Sequence, residues 1–137
     1  MTTKSLEAAL KQKPFRHILH AIIEAIQDAN GKNLSLIDVS KMFNLSDFFV
    51  IASGRSDRQV QGITNRVLDA IQKTGAEVAS VEGLEEGQWV LVDLGDIVVH
   101  IFYEATREYY DFDSLWARAE HIKIPLGREL KSSRYAA

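Results

Sequence analysis

The chain of 137 residues contains no cysteine and no long apolar run. Without cysteine, disulfides, thiolate zinc sites and cysteine nucleophiles are all excluded, and a reducing compartment fits the composition. No apolar stretch approaches the ~18 residues of a membrane span. The polar start, residues 1–13, has no apolar segment of the signal-peptide kind. The sequence therefore predicts a cytoplasmic protein with no membrane partner.

An excess of positive charge is also missing. The net charge is −3 and the pI about 5.8, which argues against a protein held on naked nucleic acid by bulk electrostatics. The acidic residues concentrate between positions 82 and 120. This segment contains ten acidic residues and only two basic ones, Arg107 and Arg118. Such a segment has the charge to dock on a basic protein.

The length, with 46% apolar and 26% charged residues, predicts one globular domain. We place its core at residues 15–120. Residues 1–14 are predicted to be a loose or partly helical lead-in outside the core, because Pro14 interrupts any helix that would continue. Residues 121–137 carry four basic side chains, one acid and no apolar periodicity, so we predict a basic tail outside the core.

Two helices follow from apolar periodicity. Residues 15–30 place isoleucine, leucine and phenylalanine at helical spacing and end at Asn30 and Gly31. The second helix begins at a capping box formed by Ser56 and Gln59, and Gly75 closes it. One or two short helices are predicted between residues 105 and 120.

Strands are predicted at residues 34–40, 47–54 and 77–81, followed by a hairpin. The hairpin joins residues 89–94 to residues 97–102 around Gly95, and both strands are apolar on both faces. This order, α-β-β-α-β-β-β-α, predicts an α/β fold with a mixed β-sheet flanked by helices, because the second helix acts as a right-handed crossover.

The hairpin leads directly into a segment that mixes aromatic and charged residues, residues 107–116. This segment is too aromatic for an ordinary solvated surface and too charged for a core, and such surfaces often bind proteins. Trp89 starts a strand after a polar loop and lies on the same strand face as Asp93. It fits the edge of a core as well as an exposed interface aromatic.

Several patterns admit catalytic or metal-binding interpretations, and each also has a structural one. Carboxylates at turns often bond nearby backbone amides, and two histidines without a carboxylate make a weak metal signature. A histidine within an interior strand is usually neutral and bonded to the backbone. The Gly54–Ser56 segment matches no phosphate-binding fingerprint. The histidine pair is His17 and His20, and the interior-strand histidine is His100. The carboxylates are Asp38, Asp93, Asp96, Asp111 and Asp113.

The motifs DFFVIASGRSDRQVQGI (47–63), GLEEGQWVLVDLGDIVVHIF (83–102) and REYYDFDSLW (107–116) resemble the ribosomal silencing factor family, also called RsfS, YbeB or iojap. The resemblance covers about residues 17–118. It implies a nucleotidyltransferase-like fold that lacks the chemistry, because catalytic members have two alternating carboxylates on the strand after a Gly-Ser pair. The Asp111 to Asp113 pair instead lies at the far end of the domain. No enzymatic activity, cofactor or metal is expected.

The resemblance also implies a partner and a mechanism. Family members bind the fourteenth protein of the large ribosomal subunit and obstruct joining of the small subunit when nutrients are scarce. By similarity, Trp89 is the central apolar anchor and Leu94 adds contact area. Asp93 and Asp96 pair with basic partner residues, while Arg107, Tyr109 and Tyr110 extend the surface.

Two other hypotheses remain open on the sequence alone. One is a nucleotidyltransferase or metal-dependent hydrolase that uses Asp38, Asp93 and Asp96. The other is a homodimer in which the exposed aromatic residues meet their symmetry mates. Contact between the basic tail and ribosomal RNA is a further hypothesis compatible with ribosome binding.

Overall fold

A computed structural model describes residues 3–11 and 13–125. Its helices are α1 (Leu6–Leu10), α2 (Arg16–Asp28), α3 (Asp57–Lys73), α4 (Glu104–Tyr110) and α5 (Phe112–Leu115). Its strands are β1 (Thr3–Ser5), β2 (Lys32–Asp38), β3 (Phe48–Gly54), β4 (Ser80–Glu82), β5 (Trp89–Asp93), β6 (Ile97–Tyr103) and β7 (Glu120–Lys123).

The strands form one seven-stranded sheet in the order β1-β7-β2-β3-β6-β5-β4. The central strands β3 and β6 run parallel, as do β1 and β7, whereas the other neighbouring pairs are antiparallel. The mixed sheet is therefore confirmed, with α3 and β4 among the elements that connect β3 to β6. The nucleotidyltransferase-like label stays a prediction.

The two faces of the sheet differ in what covers them. The helix face, which bears Val50, Val90 and Val99, packs under α2 and α3 in a large aliphatic core. The aromatic face, which bears Phe49, His100 and Phe102, is covered by the short α4–α5 segment and the loop after β2. Since side chains alternate along a strand, each strand contributes to both layers.

The ends of the two long helices follow the sequence signals. The Ser56 hydroxyl accepts the Gln59 N–H at 3.0 Å, so the predicted cap of α3 is confirmed. The Gln59 side chain reaches back one residue further than a standard capping box and accepts the Arg55 N–H at 2.6 Å. Helix α2 ends before Asn30, whose φ of 60° is left-handed, and Gly31.

The predicted lead-in is partly helical, but the prediction that it lies outside the core was wrong. Leu6, Ala9 and Leu10 of α1 are buried in the same cluster as the α2 stripe, and β1 adds a strand to the sheet. Pro14 does separate two helices, yet the first folds back onto the core. Burial of its apolar side chains outweighs the short length of that helix.

The start of the predicted basic tail is likewise part of the sheet. His121 to Lys123 belong to β7, which lies between β1 and β2, and Ile122 is buried opposite Leu36. The observed order therefore gains β1 and α1 at the start and β7 at the end. The remaining tail residues, 126–137, lie outside the described residues.

We predict that Leu10→Ala lowers the free energy of unfolding by about 3 kcal/mol, because the side chain is fully buried and its removal leaves a cavity. Urea unfolding followed by circular dichroism measures the change. Lys11→Ala, at the next and exposed position, should unfold like the parent. Equal midpoints for the two variants would show that α1 contributes nothing to the core.

Candidate functional site

The candidate site lies where β5 crosses the aromatic face near one edge of the sheet. Trp89, Leu91 and Asp93 alternate onto this face and are each half-buried, whereas Val90 and Val92 point into the helix-face core. Only the short strand β4 lies beyond β5, and α4 and α5 do not cover β5 completely. The site is therefore a partly exposed strip of the sheet, formed on β5 by Trp89, Leu91 and Asp93.

The indole of Trp89 is half-buried among the rings of the aromatic face. Its ring stacks on Phe102, which lies directly opposite on β6, with centroids 4.8 Å apart. Phe112 meets it edge-on at 5.8 Å, and the Tyr110 ring lies at 5.5 Å. Trp89 therefore lies at the edge of the aromatic core, and its role as an interface residue stays a prediction.

The polar end of this indole is bonded inside the protein. Trp89 Nε1 donates a hydrogen bond to His100 Nδ1 at 3.2 Å. His100 is 4% exposed, and burial lowers its pKa from 6.5 to about 3. The imidazole is therefore neutral at physiological pH, with Nδ1 as the acceptor.

His100 was predicted to be a neutral histidine bonded to the backbone, and its partner is instead a tryptophan side chain. The hairpin register contains a signal that would have revealed it. A turn centred on Gly95 sets Leu91 opposite His100, as observed. Trp89 then lies diagonally across the same face, within reach of a long side chain.

The hairpin turn divides the other predicted contact residues between the two faces. Asp93 lies on the aromatic face, and its carboxylate accepts the Gly95 N–H at 2.8 Å. Leu94 is half-buried and packs against the helix-face core, so it lies on the side opposite Trp89. Asp96 is exposed in the turn. Asp93 therefore shares the face of Trp89 and Leu94 does not, and the binding roles of these residues stay a prediction.

Arg107 was predicted to extend the binding surface, but the structure gives its guanidinium an internal role. It is 8% exposed and makes two hydrogen bonds of 2.9 Å to Asp113. Two further hydrogen bonds, to the Ser53 hydroxyl and the Asn33 carbonyl, connect α4 to β3 and β2. Hydrogen bonding to Arg107 holds the Asp113 pKa below its usual value.

The two tyrosines of α4 lie beside the candidate site. Tyr109 is 82% exposed and Tyr110 59% exposed, and their rings meet edge-on at 5.1 Å. Tyr110 also approaches Trp89, so the two tyrosines extend the apolar strip of β5 outward. They remain available to a partner, in contrast to Arg107.

The carboxylates proposed for catalysis do not converge. Asp38 lies opposite Phe48 on the helix face, and its side chain is engaged by Ser40. Asp93 lies on the aromatic face with β3 and β6 between the two, which separates them by about 14 Å at ~4.8 Å per strand. Among the described residues, no three histidine, aspartate or glutamate side chains form a group able to hold a metal ion.

The other chemical patterns also have structural explanations. His17 and His20 do share a face, where they line a groove between α2 and α3 together with Glu24. Burial lowers the pKa of His20, and the nearby charge of Glu24 partly opposes that shift. At the start of α3, side chains already bond the amides of Arg55 and Gln59, which leaves them unavailable to a phosphate.

Comparison with known proteins gives a consistent result. Residues 12–137 match the family model described as "Ribosomal silencing factor during starvation". The chain is 43% identical over 94 residues to the ribosomal silencing factor RsfS of Chromobacterium violaceum, covering 69% of this chain and 77% of that protein. It is 36% identical over 112 residues to RsfS of Bacillus subtilis, covering 82% and 95% respectively.

More distant and structural relatives agree. The mouse protein named "Mitochondrial assembly of ribosomal large subunit protein 1" is 25% identical, over 80% of this chain and 52% of its own length. A crystal structure of a Chromobacterium violaceum protein, CV0518, superimposes with a TM-score of 0.72 and 38% identity, covering 81% of this chain and 89% of that one. Within the described part of the chain, no helix has the length and apolarity needed to cross a bilayer.

We predict that Arg107→Met lowers the free energy of unfolding by about 2 kcal/mol. The ion pair contributes the smaller part of this, because the Asp113 carboxylate is largely exposed to water. Most comes from the Ser53 and Asn33 acceptors left without a donor. Thermal unfolding measures the loss, with the exposed Arg118→Met as control. An unchanged melting temperature would show that the internal hydrogen bonds of Arg107 do not stabilise the fold.

Proposed function

The chain belongs to the ribosomal silencing factor family, and from this premise we propose that it binds the large ribosomal subunit and represses translation. In this proposal the contact is with the fourteenth protein of that subunit, on the surface that meets the small subunit. The protein acts in the cytoplasm, under nutrient limitation or in stationary phase, and performs no catalysis.

The names of the relatives support the ribosome as target. Bacterial relatives are named ribosomal silencing factors, and the mouse relative is named for assembly of the large ribosomal subunit. These names concern those proteins. They favour the large subunit as the body to which this chain binds.

The half-buried Trp89 is the observation that carries the proposal. Its indole presents an apolar surface whose single polar group is already bonded internally to His100, so a partner can cover it without leaving a donor unpaired. Leu91 lies on the same strand face, and the ring of Tyr110 lies against the indole. Large aromatic side chains in such settings dominate interface energetics.

Acidic side chains around this apolar strip suit a basic partner, as ribosomal proteins typically are. Glu82 of β4 lies opposite Leu91 and therefore on the same face, and Asp93 follows along β5. Asp96 lies exposed in the adjoining turn. Charge complementarity steers association and sets orientation, while the apolar contacts supply most of the affinity.

In this proposal the bound protein silences the ribosome by steric exclusion of the small subunit alone. A protein of 15.4 kDa bound at the subunit interface fills volume that small-subunit contacts need. Binding and subunit joining exclude each other, so the free energy of binding one protein competes directly with the free energy of subunit association. The proposal therefore needs no metal, nucleotide or covalent step.

We predict that Trp89→Ala weakens binding to purified large subunits by at least about 30-fold, the effect of losing about 2 kcal/mol. Co-sedimentation measures the affinity, and a subunit-joining assay should show a matching loss of inhibition. Val81→Ala is the control, because Val81 is exposed on the helix face of the neighbouring strand. It should bind and inhibit like the parent.

A folded Trp89→Ala variant that co-sediments as tightly as the parent would show that the interface is elsewhere. Retained binding with lost inhibition would separate the contact from the obstruction. Light scattering of the free protein over a dilution series tests the homodimer hypothesis in parallel, because self-association through the same strip would compete with the ribosome.

We predict that raising the monovalent salt concentration weakens binding less than about tenfold, since an apolar anchor is screened less than surface ion pairs. A double variant, Glu82→Gln with Asp96→Asn, should bind somewhat less tightly and lose most of the remaining salt dependence. Complete release at modest salt would instead indicate electrostatic attachment, including the hypothesis that the basic tail contacts ribosomal RNA.

A further inference from the structure

The orientation of Trp89 depends on a residue that no partner would touch. His100 lies one strand further into the sheet, and its Nδ1 receives the indole N–H at 3.2 Å. Stacking on Phe102 restrains the plane of the indole. The hydrogen bond adds a second restraint, because it determines which edge of the indole points into the protein and which edge faces outward.

His100 is itself held firmly. It belongs to β6, whose backbone pairs with β3 on one side and β5 on the other. Its ring packs against Phe49 at 4.7 Å and Phe112 at 4.8 Å. An acceptor fixed by packing from several sides is a precise point of attachment for the indole.

A histidine at this position does not improve stability compared with an apolar ring. Burying the imidazole removes it from water, and its Nε2 has no hydrogen-bond partner in the part of the chain that the structure describes. A buried polar atom without a partner lowers stability. The Nδ1 acceptor for Trp89 is the benefit that the imidazole provides and a phenyl ring would not.

We propose that His100 is a positioning residue for binding, which holds the Trp89 indole in the orientation that the partner recognises. The inference rests on the proposed function, since it assumes that Trp89 is a contact residue. Preorganisation raises affinity by reducing the side-chain freedom lost on binding. Without the Nδ1 acceptor, the indole N–H turns toward solvent or remains buried without a partner, and either change weakens the complex.

The test uses three substitutions in the full chain. His100→Phe keeps an aromatic ring and removes the acceptor. His100→Asn places its Oδ1 close to the position of Nδ1 and so retains an acceptor for Trp89. His100→Gln is the matched control, because its amide lies further out, near the position of Nε2, and does not present an acceptor to the indole.

Two measurements are needed, one of the Trp89 hydrogen bond and one of the affinity for large subunits. A purely structural role of His100 would not make both follow the presence of the acceptor. The indole N–H resonance of Trp89 in ¹⁵N spectra reports the hydrogen bond, with Trp116 as an internal reference. We expect His100→Phe and His100→Gln to shift this resonance and speed its exchange with solvent, while His100→Asn preserves it. Binding to purified large subunits should fall about fivefold for His100→Phe and His100→Gln, and His100→Asn should restore most of it.

The outcomes separate this inference from the proposed function. If Trp89→Ala loses binding but His100→Phe and His100→Gln bind as tightly as the parent, the interface stands and the positioning role is overturned. If Trp89→Ala also binds normally, the proposed interface is wrong, and the inference falls with it. Should His100→Phe fail to fold, the contrast between His100→Asn and His100→Gln decides, and equal affinity of these two would overturn the role.

Discussion

The parallel pairing of β3 with β6 is the contact on which the rest of the structure depends. Both strands are buried along almost their whole length. Their register places Val50 beside Val99 on the helix face and Ile51 beside His100 on the aromatic face. A strand pair that is apolar on both sides needs a layer above and a layer below. That requirement brings α2 and α3 onto one side and α4 and α5 onto the other.

The two layers are unequal, and the inequality produces the candidate site. Two long amphipathic helices close the helix face, whereas two short helices and a loop cover the aromatic face. Arg107 of α4 donates hydrogen bonds to Asp113 of α5, Ser53 of β3 and Asn33 of β2, and so holds the short helices against the sheet. The short helices do not cover β5 completely, so the strip of Trp89, Leu91 and Asp93 stays half exposed. A surface of this kind can bind a partner while the core beneath it stays intact.

Binding and stability make different demands at this strip. In the proposed function Trp89 must be accessible to the partner, yet an unrestrained indole would lose freedom on binding. The structure meets both demands by stacking the ring on Phe102 and bonding its N–H to buried His100. The buried imidazole remains neutral because burial lowers its pKa to about 3. The acidic residues around the strip stay near the surface, where charge costs little and can still steer association.

Local signals in the sequence predicted most of the elements. The helical stripes, the Ser56 cap and the hairpin around Gly95 depend on neighbouring residues, so their positions agree with the structure to within a few residues. Motif resemblance identified the family, and the choice of Trp89 came from the same segment. The short lead-in has a cap at Ser5 and apolar residues at helical spacing. These local signals do not show that α1 packs on the core.

What the sequence by itself determined, then, was the set of helices and strands, the mixed character of the sheet and the acidic, aromatic nature of the segment after β6. Only the tertiary structure decided which side chains share a surface. Asp113, Ser53 and Asn33 hold Arg107 inside the protein, and β7 enters the sheet between β1 and β2. These results depend on contacts between residues far apart in the chain, and local periodicity carries no information about such contacts.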